Sequence, residues 1–151
     1  MDKSKFDYRG VQMANILIVD DSLLIRETLK AILTEAGHTV VSEAGNGYEA
    51  CLEFDKCQPD LVTMDINMPF MNGLEALDTI MSKHPHARII MVSKEISNSF
   101  INQSLHLGAK SYVIKPFDIQ GLVDTINKIL QCGNSISTDG LQSIYMKISV
   151  L

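Results

Sequence analysis

Cysteine is scarce in this chain. Only Cys51, Cys57 and Cys132 occur, the number is odd and no Cys-x-x-Cys spacing is present. Cys51 and Cys57 lie six apart in a helix-period segment, so they point about 120° away from each other. A disulfide framework and a structural zinc site are both disfavoured, and reduced thiols in or near a core are expected. Basic excess is lacking too: 13 Lys and Arg stand against 18 Asp and Glu, for a formal charge of −5. Broad, phosphate-driven nucleic-acid binding needs a basic face, so no direct nucleic-acid partner is expected, although a local basic patch is not excluded. No apolar run approaches the roughly 20 residues that cross a bilayer. The polar opening "MDKSKFDYRGVQ" lacks the apolar centre of a secretory signal. A cytoplasmic protein with no membrane partner is the expectation.

What is present is a pattern. Hydrophobic residues make up 46 % of 151, enough for one domain with a sizeable core. Short branched runs, "ILIV" (16–19), "TVV" (39–41), "LVTM" (61–64), "RIIMV" (88–92) and "YVI" (112–114), alternate with longer segments of helical period. Ile25, Leu29, Ile32, Leu33 and Ala36 mark the first helix, which Gly37 stops. Segments 47–57, 73–84 and 97–108 mark the next three. Ile119, Leu122, Val123, Ile126, Ile129 and Leu130 form the stripe of a fifth. Five strand–helix units imply an α/β fold with a parallel sheet covered on both faces. In this class ligands sit outside the carboxyl ends of the strands.

The stretch "NILIVDDS" (15–22) runs four apolar residues into two adjacent carboxylates. Asp20 and Asp21 fall where the first strand leaves the core, so neither need be fully buried. Ser22 or Asp21 serves to cap the helix that follows. Capping explains one acid and leaves the other over. The remaining strand ends add Asp65, Ser93 and Lys115-Pro116. One sheet edge would then gather three carboxylates, a hydroxyl and an ammonium. Three clustered carboxylates repel unless a cation joins them, and magnesium suits a partly hydrated oxygen site. A carboxylate beside magnesium, a hydroxyl and a lysine is a competent phosphoryl acceptor.

In "ILIVDDS", "DLVTMDINMPFMNGLEAL", "IIMVS" and "GAKSYVIKPF" the chain resembles the receiver domain of bacterial two-component response regulators, over about residues 14–132. Four motifs in order at the right strand ends are highly specific. The resemblance implies a flavodoxin-like doubly wound sheet of five strands, order 2-1-3-4-5, with five helices. It implies that Asp65 accepts a phosphoryl group from a sensor histidine kinase or phosphotransfer protein. Asp21, Asp65 and the backbone carbonyl of Asn67 would bind Mg2+ directly, with Asp20 acting through water. Lys115 would pair with the phosphoryl oxygens, Ser93 would swing in to hydrogen-bond them, and Tyr112 would turn inward behind it. The Lys115-Pro116 bond would be cis. The output surface is expected on the fourth helix, fifth strand and fifth helix, and the population shift is driven by about two added negative charges.

Some features depart from that pattern or compete with it. Lys94 follows the switch hydroxyl where receivers usually carry a small residue; it snorkels into solvent, hinders access of a donor or water to Asp65, or adds a second cation to the phosphoryl site. Asn67 and Glu95 match the chemotaxis-type pattern at two rate-tuning positions. "GNGYEA" (45–50) mimics a dinucleotide fingerprint, but that reading leaves Asp20, Asp21, Ser93 and Lys115 unused. An aspartyl-phosphate phosphatase is the enzyme alternative, yet such enzymes carry Asp-x-Asp-x-Thr where this chain has Asp-Asp-Ser. His84 and His86 read as a solvated helix end. Residues 1–13 are expected to be an extension, with Met13 a natural start. Residues 133–151 are too few for a DNA-binding domain, which suggests a stand-alone receiver of chemotaxis type. In that tail Ile144, Met146, Ile148 and Val150 alternate as in a half-buried strand, leaving a monomer with an added strand, a tail-mediated dimer or disorder open. Two outputs also remain open at this point: a regulator that binds a protein target, and a phosphorelay intermediate that passes the group to a histidine.

Overall fold

A computed structural model of the chain describes residues 3–131. Five strands alternate with five helices: β1 (Asn15–Val19), α1 (Leu23–Glu35), β2 (Thr39–Ala44), α2 (Gly47–Cys57), β3 (Leu61–Met64), α3 (Gly73–Lys83), β4 (Ile89–Ser93), α4 (Asn98–His106), β5 (Ser111–Ile114) and α5 (Ile119–Gln131). The strands pair in parallel in the order β2-β1-β3-β4-β5. The apolar runs predict the parallel sheet, and the resemblance implies its doubly wound order.

Residue alternation along each strand divides the interior into two cores. Ile16, Ile18, Leu61, Ile90, Val92 and Val113 point to the side closed by Leu29 and Leu33 of α1 and by Leu122, Ile126 and Leu130 of α5. Leu17, Val19, Val62, Met64, Ile89 and Met91 point to the other, closed by Phe54, Leu77, Ile80 and Ile101. Residues within β1, β3 and β4 that serve both cores are almost wholly buried, which is why these strands read as unbroken apolar runs.

Local chemistry sets the helix starts. The Ser22 side chain accepts from the Ile25 N–H, Asn46 from Glu49, Asn72 from Glu75 and Ser97 from Phe100. Asn72 and Glu75 close a reciprocal capping box on α3. Gly37 follows α1 at φ +97°, a conformation that suits glycine. β2 continues three residues past the expected "TVV", through Ser42, Glu43 and Ala44. It is an edge strand, so polar residues fit there and hide it from an apolar search.

Ahead of β1, residues 3–13 fold back on themselves. Phe6 and Gln12 form an isolated antiparallel bridge, and the Asp7 carboxylate accepts from the Arg9 and Val11 N–H groups. The alternating tail at 144–150 and Cys132 lie outside the described residues. Cys51 and Cys57 are free thiols, both half-buried.

Candidate functional site

The carboxyl ends of β1, β3, β4 and β5 meet at one edge of the sheet. The Lys115 ammonium lies 2.5 Å from Asp20 Oδ2 and 3.5 Å from Asp65 Oδ2. Asp20 Oδ1 accepts from the Ser22 N–H at 2.9 Å, and Asp65 Oδ1 accepts from the Ile66 N–H at 2.8 Å. One carboxylate oxygen from each of Asp20, Asp21 and Asp65 lies within 4.8 Å of the other two. Asp21 is exposed, whereas Asp20 is 2 % and Asp65 7 % exposed. The expectation that neither acid of the pair need be buried is thus corrected for Asp20. A buried carboxylate is tolerated there because Lys115, 95 residues away in sequence, meets it with a buried ammonium.

Burial is the main cause that raises the Asp65 pKa above the ordinary aspartate value. Lys115 opposes the rise, while Asp20 and Asp21 add to it. A hard divalent cation would relieve this concentration of charge. Three oxygen donors within 4.8 Å of one another, one of them solvent-facing, fit a magnesium ion that keeps part of its water shell. The same cleft is lined by Ser22, Leu24, Ile25, Asn67 and Lys94.

A hydrogen-bonded clasp crosses the rim. Asn67 Nδ2 donates to Glu95 Oε1 at 2.6 Å, joining the loop after β3 to the loop after β4. The Glu95 N–H donates to Ser93 Oγ at 3.2 Å, and the Tyr112 hydroxyl donates to the Glu95 carbonyl at 2.6 Å. Ser93 is fully buried at the end of β4. Tyr112 lies inside, 1 % exposed. The Glu95 carbonyl explains this: it satisfies the phenol, so burying the ring strands no polar group. The Lys115-Pro116 peptide is cis.

Two supports escaped the sequence. Arg26 Nη1 donates to the Asp20 carbonyl at 2.7 Å, while its Nε pairs with Glu43 Oε1 at 3.2 Å. The guanidinium thereby ties the turn that carries Asp20 and Asp21 to β2. The available signal was a cation in the first turns of a helix, where the dipole disfavours it unless an acid is near. His38 is the other. Its Nδ1 accepts from the Ala14 N–H at 3.2 Å, so Nε2 carries the proton and donates to Asn127 Oδ1 at 3.1 Å.

The competing motifs resolve into structure. In "GNGYEA" the Asn46 side chain caps α2, and the Gly45 N–H donates to Glu49 Oε2. A Cβ on Gly47 would lie 2.6 Å from the Met71 carbonyl oxygen, so packing against that loop requires glycine. His84 caps the end of α3, tilts against Phe54 and meets Asp55 at 3.0 Å. It is half-buried rather than a solvated helix end, and His86 is exposed.

The response regulator receiver domain family model matches residues 16–127. The chain is 42 % identical over 114 residues to the chemotaxis protein CheY of Thermotoga maritima, covering 76 % of this chain and 95 % of that protein. It is 44 % identical over 115 residues to CheY of Bacillus subtilis, covering 76 % and 96 %. Among solved structures, a CheX–CheY–BeF3–Mg complex from Borrelia burgdorferi superposes with a TM-score of 0.78 at 30 % identity, covering 87 % of this chain and 100 % of that one. Strand order, strand-end residues and these likenesses agree: the chain belongs to the response regulator receiver domain family, as a phosphorylation-dependent switch of two-component signalling of the chemotaxis type.

Proposed function

We propose that Asp65 is the phosphoacceptor, and that Asp20, Asp21 and Asp65, with the backbone carbonyl of Asn67, hold the magnesium ion. One observation carries this reading: Asp65 shares the buried Lys115 ammonium with Asp20 inside a three-carboxylate cluster open to solvent at Asp21. An Asp65 oxygen attacks phosphorus, an O–P bond forms, and the donor departs with the electron pair of the broken bond. Lys115 neutralises the phosphoryl oxygens, and Ser93 turns its hydroxyl toward them. Magnesium, when bound, supplies charge neutralisation for the carboxylates and the phosphoryl group.

The donor is a sensor histidine kinase or a phosphotransfer protein. The chain acts in the cytoplasm; no helix among the described residues is long and apolar enough to cross a membrane. The switching unit spans 14–132, with 1–13 an extension and 133–151 a tail. Movement of Ser93 disturbs its bond from the Glu95 N–H, and Glu95 holds Tyr112 through its carbonyl. That chain of contacts carries the signal to the surface of α4, β5 and α5.

Acetyl phosphate with magnesium should add one phosphoryl group to the protein, read by intact mass spectrometry. Asp65→Asn, or removal of the metal with EDTA, should abolish labelling. Labelling that persists in Asp65→Asn would refute the assignment. Continuous turnover of a phosphoester, instead of single-equivalent labelling, would favour a phosphatase.

A further inference from the structure

We propose that Lys94 determines which phosphodonors the site accepts: its ammonium neutralises charge on an anionic leaving group at the mouth of the cleft. The inference rests on Asp65 being the acceptor and concerns the opposite end of the reacting bond.

In-line phosphoryl transfer places the leaving group on the far side of phosphorus from the nucleophile. Asp65 is buried on the floor of the cleft and Lys115 is buried beside it. The leaving group must therefore point outward, to the solvent side. There the lining changes to exposed side chains, Asp21, Leu24, Asn67 and Lys94. Leu24 is 74 % exposed and apolar, and Asp21 is an anion. Asn67 directs its amide away to Glu95. Lys94 is the mouth residue that brings positive charge, and among the described residues it is paired with no carboxylate.

Glu95, the nearest acid in sequence, is occupied by Asn67. The backbone on both sides of Lys94 is also pinned. The Ser93 carbonyl at the end of β4 accepts from the Lys115 N–H at 2.9 Å, while the Glu95 carbonyl takes the Tyr112 hydroxyl. Only the lysine side chain itself is left to move, and its length lets it follow a departing group. An acyl phosphate breaks its P–O bond and releases a carboxylate carrying the electron pair, which an ammonium at the mouth stabilises. A phosphoramidate that has taken up a proton on nitrogen breaks its P–N bond, the electron pair stays on that nitrogen, and the amine leaves neutral, gaining nothing from that charge.

The test compares acetyl phosphate with phosphoramidate at saturating magnesium, on the full chain as wild type, Lys94→Gln and Lys94→Arg. The rate of Asp65 phosphorylation is followed by intact mass spectrometry. Lys94→Gln should slow labelling by acetyl phosphate about fivefold, as expected for one partly solvated charge contact in the transition state. Labelling by phosphoramidate should change less than about twofold on the same scale. Lys94→Arg should restore the acetyl phosphate rate, and high salt should shrink the difference between wild type and Lys94→Gln. Equal slowing with both donors, or no slowing with either, overturns the assignment of Lys94. Failure of the wild type to be labelled on Asp65 by either donor removes the acceptor assignment itself, and this inference with it.

Discussion

Asp65 is held under electrostatic load. Its raised pKa comes first from burial, and the nearby Asp20 and Asp21 carboxylates add to it. Between the ordinary aspartate value and this raised one, the folded chain binds more protons than the unfolded chain. The contribution of Asp65 to stability is therefore fully present below the ordinary carboxylate range and is lost as pH rises through the raised value. With the metal chelated, Asp65→Asn should melt at a higher temperature than wild type at neutral pH, and the gap should close on acidification. Thermal melts monitored by circular dichroism read both effects. A variant that melts lower at neutral pH would contradict this picture. The load itself was only half legible in the sequence. The strand-end acids were visible because each follows an apolar run. The burial of Asp20 was not: the strand ends place Lys115 at the same edge, but only the folded sheet sets its ammonium directly against Asp20.

Among the elements, α3 shows how closely the site is braced. Its first residue, Gly73, donates its N–H to the Ile66 carbonyl, and a Cβ there would lie 1.8 Å from the Asp65 carbonyl oxygen. No rotamer change relieves a clash between a Cβ and backbone. Gly73→Ala must push the start of α3 away from the end of β3. Urea denaturation should show a loss of about 3 kcal/mol, at the upper end of overpacking costs. Labelling of Asp65 should slow as its loop shifts, and unchanged stability would show that the loop yields freely. Helices and central strands were readable because their period or burial is continuous. β2 was readable only in its first half, since Ser42 and Glu43 continue it at the sheet edge. Arg26, Asn67 and Glu95 illustrate the other limit. Residue type marks them as polar, but only the fold shows which loops they tie together.

Across the whole molecule, the site occupies one edge of the sheet and the segment before β1 lies near the other. His38 joins that segment to the body, accepting from Ala14 and donating to Asn127 of α5. Burial lowers its pKa, Asn127 opposing, so the neutral ring that this bonding needs is the favoured form. The helices on both faces leave the acidic edge open, and the receiver family match runs from β1 into α5, residues 16–127. Everything proposed for the switch depends on Asp20, Asp21 and Asp65 acting together on one cation. Isothermal titration calorimetry with magnesium chloride tests this most directly. The wild-type chain should take up one equivalent, and Asp21→Asn should bind it at least about tenfold more weakly, a loss of about 1.4 kcal/mol. Absence of magnesium uptake by the wild type, or equal uptake by Asp21→Asn, would contradict the shared site.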